Sequence, residues 1–228
     1  MTDATVVMPM SRLVERVLNA AVCGRRYVLG IAGPPAAGKS RLSVGIRDAL
    51  NAHAGSVIAE IAPMDGFHLS NAVLRASGKL ARKGGPDTFD VSGYLETLSR
   101  LRSTPVGEPV AWPTFDRAIE EPTPSGVIFD RHTIAITEGN YLLLDDLRSG
   151  SWSGIRKLLD ECWYLDADRN VIEKRLVRRH IRGGMTLAAA KAKTRQSDLP
   201  NADLIAATKS RADLVLQAYN GRYHAIAQ

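Results

Sequence analysis

The chain has 228 residues, 45% hydrophobic and 24% charged, which excludes a disordered or collagen-like protein and suffices for one core with a small lid. Thirty Lys and Arg against 24 Asp and Glu leave a formal charge of +6. The basic residues are densest at positions 174–182, with no aromatic residue among them, so the stacking platform of a single-strand nucleic-acid binder is excluded. No apolar run approaches the roughly 18 residues of a bilayer span. Met1–Met10 carries Asp3 and lacks a basic start, so neither a membrane body nor a secretory signal is expected, and the location expected is cytoplasmic. Cys23 and Cys162 are far apart and flanked by apolar residues, as buried free thiols are.

In chain order, Ser11 is expected to cap a helix with apolar positions Leu13, Val14, Val17, Leu18 and Ala21, closed by Gly24. Residues 27–32 read as a buried strand, 39–53 as a helix ended by Gly55, 57–62 as a second strand and 91–101 as an amphipathic helix. The Pro- and Gly-rich stretches 83–86, 105–113 and 121–126 read as loops. A third strand is expected at 133–137 and shorter ones at 162–165 and 214–216, with helices at 170–181 and 187–195. Strands alternating with helices predict a three-layer α/β/α sandwich with a mostly parallel sheet, in one domain spanning 1–228. A lid is expected at about 175–200.

Directly after the first strand comes Gly33-Pro34-Pro35-Ala36-Ala37-Gly38-Lys39-Ser40, which fits the phosphate-loop pattern G-x-x-x-x-G-K-[ST] at every fixed position. Small residues let backbone N–H groups and a helix N-terminus close round a phosphate; Lys39 supplies a cation for the β- and γ-phosphates, and Ser40 a hydroxyl for Mg²⁺. Asp65 and Glu138 end the second and third strands, each before a glycine expected to let the backbone turn away. One is expected to take a proton from a substrate hydroxyl and the other to hold Mg²⁺ directly or through water. Arg175, Arg178, Arg179 and Arg182 are expected along one broad helical face before a Gly183-Gly184 hinge, with Arg175, Arg179 and Arg182 the candidates for covering ATP. His68 can bind substrate or tune Asp65, and Asp116 and Arg117 read as a pocket edge. His53, His132 and His224 look surface-exposed, and Asp198 and Asn201 read as helix caps.

These features, with Met64-Asp65-Gly66-Phe67, Gly85-Pro86-Asp87-Thr88-Phe89-Asp90, Pro113-Thr114-Phe115-Asp116-Arg117, Glu138-Gly139 and Thr208-Lys209-Ser210-Arg211-Ala212-Asp213, resemble the phosphoribulokinase/uridine kinase family of P-loop kinases from about residue 27 to 216. The resemblance implies ATP-dependent transfer to a hydroxyl of a small molecule, with Asp65 as general base, arginines near the phosphates, and acceptor groups in segments matching His68, 83–90 and 115–117. Asp87, Phe115 and Arg117 are the candidates there. Uridine kinases carry Asp-Ser-Phe-Tyr where this chain has Asp65-Gly66-Phe67-His68, so the expected acceptor is a sugar or similar polyol. A nucleoside or pantothenate is the alternative, and a nucleotide-dependent regulatory module without an acceptor the alternative of another class. Homodimerisation is compatible with the sequence; nucleic acid and membrane partners are not expected.

Overall fold

The computed structural model describes residues 5–21, 24–145 and 152–226, so Cys23 lies outside the described residues. The elements are β1 (Thr5–Met8), α1 (Met10–Ala20), β2 (Tyr27–Ala32), α2 (Lys39–Ala54), β3 (Ala59–Pro63), α3 (Asn71–Ala76), α4 (Val91–Ser103), β4 (Val110–Asp116), β5 (Glu121–Phe129), β6 (Ile134–Gly139), β7 (Glu161–Asp166), α5 (Arg169–Arg182), α6 (Leu187–Lys193), α7 (Leu199–Ala206), β8 (Leu214–Tyr219) and β9 (Arg222–Ile226).

Every residue of β2 is buried, as its uninterrupted apolar run demands of a central strand covered on both faces. The sheet runs β1-β9-β8-β7-β2-β6-β3. From β8 to β3 the pairs are parallel, while β9 pairs antiparallel with both β8 and β1. Strand alternation sends Tyr27, Leu29 and Ile31 into a cluster with Leu13, Val14 and Val17 of α1 and Leu42, Ile46 and Leu50 of α2. Val28 and Ala32 face the opposite cluster, built from Tyr94, Leu98 and Leu101 of α4 with Trp112, Phe129 and Trp152. Sheet order reverses about β2, with β6 on one side and β7 on the other, so the crevice at its C-terminal end lies where open α/β sheets bind ligands.

The three-layer reading is confirmed, with local corrections. The edge strand β1 and its neighbour β9 went unforeseen because each is short and has no fully buried residue. Residues 110–113 and 121–126, expected as parts of loops, instead belong to the antiparallel β4–β5 hairpin. Trp112 anchors it: fully buried, it donates from Nε1 to the Pro63 carbonyl at 3.0 Å, fixing the hairpin to the end of β3. The second strand begins at Ala59 because Asn51 of α2 accepts from the amides of Ile58 and Ala59 and organises the turn before it. Pro9, not Ser11, occupies the N-cap of α1, without a side-chain cap bond. His132 is buried rather than at the surface.

Past Lys193 the expected single helix widens into a π-turn at Thr194–Asp198 and continues as α7, so Asp198 caps nothing. Its carboxylate instead lies 2.6 Å from His180 Nε2 and ties this turn to α5. Ile172, Leu176, Leu199 and Ala202 form a separate small cluster between α5 and α7, with Ala36 and Ala167 packed against it.

Candidate active site

The loop after β2 folds through backbone conformations that its small residues permit. Gly38 sits at φ 108° and begins α2, and Ala36 is left-handed at φ 62°. At Gly33 a side chain is impossible, since a Cβ would lie 2.4 Å from the Leu165 carbonyl oxygen. The loop is thereby pressed against the end of β7. Lys39 is buried, and its Nζ donates to the carbonyls of Gly33 (2.9 Å) and Pro34 (3.1 Å) and to Asn140 Oδ1 (2.7 Å). Burial lowers its pKa, opposed by the negative charges of Glu138 and Asp65.

Register places Glu138 opposite Ile31 of β2 and Pro63 of β3, between the loop and the turn that carries Asp65. Ser40 Oγ donates to Glu138 Oε1 at 3.0 Å. Protein packs closely round the Glu138 carboxylate and raises its pKa, although its tip reaches solvent; Lys39 and the Ser40 bond act the other way. A hydroxyl and a carboxylate oxygen beside a phosphate loop are hard donors of the kind Mg²⁺ takes, with phosphate and water oxygens completing its shell. No cluster of three or more His, Cys, Asp or Glu side chains able to hold a metal occurs among the described residues.

Asp65 lies in the single 3-10 turn Met64–Phe67 that follows β3. The glycines after the two carboxylates do not serve reversal, as neither has positive φ. They allow close approach. A Cβ on Gly66 would lie 2.1 Å from the Pro113 carbonyl oxygen, and one on Gly139 would lie 2.6 Å from Met64 Sδ. Gly66 thus sets the Asp65 turn directly on β4, and Gly139 sets the end of β6 against the same turn.

The hairpin brings Arg117 to Asp65, where Nη2 donates to Oδ2 in an ion pair. His68 Nδ1 donates to the Asp65 carbonyl at 2.9 Å, and its ring lies 4.0 Å from Phe89 and 4.8 Å from Phe115 between centroids. Burial there lowers the His68 pKa. Lys83 Nζ sits 4.9 Å from the Phe115 ring centre and the Arg117 guanidinium 5.2 Å. Asp87 is engaged by Lys79 (3.3 Å) and Arg82 (3.0 Å) at the rim.

Arg175 Nη1 donates to the carbonyls of Ala36 (3.0 Å) and Ala37 (3.2 Å), so α5 is fastened to the phosphate loop itself. Arg179, one turn on, is close enough for its charge to lower the Lys39 pKa. Arg182 is exposed, with no hydrogen bond or ion pair among the described residues. Arg178 departs from the expected common face, lining instead a groove on the outer side of α5 with Val177, Ile181 and Leu187. The structure also brings in Asn140, which positions Lys39, and Tyr141, whose hydroxyl donates to the Gly84 carbonyl at 2.6 Å. Both directly follow Glu138-Gly139, yet only a fold that laid β6 beside the loop connects Asn140 to Lys39.

A model of the phosphoribulokinase/uridine kinase family matches residues 28–223. Escherichia coli YggC, named only as uncharacterized, is 31% identical over 201 residues, 88% of this chain and 81% of that protein. A Schizosaccharomyces pombe protein provisionally named uridine kinase C227.14 is 32% identical over 222 residues, 94% of this chain and 93% of its own. Among solved structures, a protein from Silicibacter sp. TM1040 provisionally named a fructose transport system kinase superposes with a TM-score of 0.82 at 36% identity, over 91% of this chain and 98% of that one.

Proposed function

The chain belongs to the phosphoribulokinase/uridine kinase family, and from that membership we propose that it transfers the γ-phosphoryl group of ATP to a hydroxyl of a small sugar or polyol. The observation that carries this reading is the meeting of two sheet ends. Asp65 at the end of β3 and Lys39 in the phosphate loop flank Glu138, near enough that both carboxylates act on the Lys39 charge. Arg117 holds one Asp65 oxygen and the other has no protein partner among the described residues, so it is available to a substrate hydroxyl. As the hydroxyl oxygen forms its bond to the γ-phosphorus, the bond to the oxygen bridging the β-phosphate breaks, ADP leaves, and Asp65 takes the hydroxyl proton. Ser40 and Glu138 would hold Mg²⁺, which neutralises phosphate charge. Gly33, Pro34, Pro35, Ala36, Ala37 and Gly38 form the phosphate cradle, and α5 to α7 act as the lid, with Arg175, Arg179 and Arg182 its nucleotide-facing cations. His68, Phe115, Arg117 and Asp87 border the acceptor.

A sugar or polyol is favoured over a pyrimidine nucleoside because Asp65-Gly66-Phe67-His68 departs from the uridine kinase pattern. The provisional name of the Silicibacter relative points the same way and that of the S. pombe relative the other. The test is a phosphorylation assay with ketohexoses, other sugars, sugar acids, pantothenate, uridine and cytidine. Asp65→Asn keeps the side-chain shape and loses the base, so it is expected to leave ATP affinity within a few-fold and lower acceptor phosphorylation by roughly 10²–10⁴. Full activity of Asp65→Asn would refute the mechanism, and uridine as best acceptor would refute the substrate class.

A further inference from the structure

The buried ammonium of Lys39 meets three oxygens, and all three are neutral: the carbonyls of Gly33 and Pro34, at 2.9 and 3.1 Å, and Oδ1 of Asn140 at 2.7 Å. An ammonium only donates, so this contact fixes which end of the Asn140 amide faces it. Oδ1 is turned to Lys39, and the two hydrogens of Nδ2 lie on the other arm of the planar group. Nδ2 has no hydrogen-bond partner among the described residues, although Asn140 is half-buried. Its neighbours fix the backbone on both sides. A Cβ on Gly139 would lie 2.6 Å from Met64 Sδ, and Tyr141 is fully buried with its hydroxyl on the Gly84 carbonyl at 2.6 Å. Phe89 and Trp152 pack round the Tyr141 ring, with centroids 5.7 and 5.1 Å away.

A carboxylate in place of this amide would grip Lys39 more strongly, but it would also neutralise the cation and repel phosphate. The amide holds the lysine and leaves its charge free. Unlike the two backbone carbonyls, it also brings donors of its own. We propose that Asn140 is a further catalytic residue, donating from Nδ2 to an oxygen of the γ-phosphoryl group while Oδ1 holds Lys39. This deepens the kinase reading and rests on it, adding a residue that tells ATP from ADP. The amide end acts on the γ-phosphate alone, whereas the carbonyl end acts through Lys39 on both the β- and γ-phosphates. A donor held in place by its backbone stabilises charge on the transferring group without reorganising.

The test separates the two ends by titration calorimetry with ADP and with a non-hydrolysable ATP analogue, each with Mg²⁺, on the wild type, Asn140→Leu and Asn140→Asp. Leu removes both ends at similar volume. Asp keeps an oxygen toward Lys39 and replaces the donor with negative charge. In Asn140→Leu the preference for the analogue over ADP is expected to fall roughly tenfold, the worth of one hydrogen bond to a charged group, with ADP affinity within a few-fold of wild type. The kcat of that variant is expected to fall by about the same factor or more, and in Asn140→Asp the preference is expected to fall further. A residue that only positions Lys39 gives the opposite order, because Asp holds the lysine better than Leu. A smaller loss of preference in Asn140→Asp than in Asn140→Leu would therefore overturn the proposal, as would equal losses for ADP and the analogue. Should Asn140→Leu not fold, the isosteric Asn140→Asp decides alone, and an unchanged preference there would overturn the proposal. These measurements need no acceptor. A lost preference in a protein that phosphorylates none of the acceptors would retain the contact and refute the kinase reading, and an intact preference in variants of an active kinase would refute the contact alone.

Discussion

The carboxylate of Glu138 is held where burial disfavours its charge, and the sign of that effect can be measured. Its pKa is raised above the ordinary glutamate value, so the folded state binds a proton more tightly than the unfolded chain. The resulting penalty is absent below the unfolded pKa, grows as pH rises through the folded one, and is fully present above it. Glu138→Gln is therefore expected to raise the Tm of the nucleotide-free protein at pH 7–8, at about 2–4 °C per kcal/mol for a chain of this size, with the gain vanishing below about pH 4.5. In the same variant the Mg²⁺ requirement should rise and kcat fall. Thermal melts across pH and a Mg²⁺ titration check both, and a Tm unchanged at pH 8 would mean that Lys39 and Ser40 already compensate the charge. Lys39 presents the complementary case, since all three of its hydrogen bonds go to the protein. Nucleotide phosphates must draw it off those carbonyls. Lys39→Ala should cost at least 10² in kcat, because the backbone cradle persists while the cation following the migrating phosphoryl group is gone. Wild-type turnover in that variant would sink the assignment.

At the scale of elements, a single buried cation ties the start of β2 to the segments around it. Arg26, immediately before β2, is fully buried and donates to the carbonyls of His132, Leu101, Thr104, Glu108 and Asp130, which joins the end of α4, the loop after it and the start of β6. Arg26→Met keeps much of the volume and leaves these carbonyls without their donor. About 3 kcal/mol or more of stability should be lost, readable as a lowered urea midpoint at unchanged m-value. Nothing in the sequence distinguished Arg26 from its exposed neighbour Arg25, because its partners are backbone groups up to 106 positions away. The same limit explains the hairpin. Its Pro- and Gly-rich composition reads locally as loop, and only the Trp112 anchor on Pro63 and its burial against Phe67, Tyr94 and Phe129 make it sheet. By contrast β2, the phosphate loop and α2 were legible, since an apolar run, a fixed glycine spacing and a helical period are local signals. Asp65 and Glu138 were legible by position; the purpose of their glycines was not, because close approach to Pro113 and Met64 is a tertiary fact.

For the molecule as a whole, the question is how the proposed lid, α5 to α7, and the sheet act together. Its helices α5 and α7 share a small core of Ile172, Leu176, Leu199 and Ala202, separate from the two large clusters, and the His180–Asp198 pair clasps the π-turn to α5. A segment with its own core moves as a unit, and its joints to the rest are few. One joint is Arg175 on the loop carbonyls of Ala36 and Ala37. Arg179, exposed and without a hydrogen-bonding partner among the described residues, makes no such contact. The two arginines should therefore separate in kinetics. Arg175→Ala loosens the loop and lid in the ground state, so it should weaken ATP binding and kcat/KM for ATP together. Arg179→Ala removes a cation whose charge reaches Lys39 but whose hydrogen bonds are still to be made, so it should lower kcat by more than it weakens ATP affinity. Isothermal titration with a non-hydrolysable analogue, set beside steady-state kinetics, resolves the pattern. Equal losses of affinity and turnover in Arg179→Ala would show a static clamp, and a lid that closes would then have no part in the reaction.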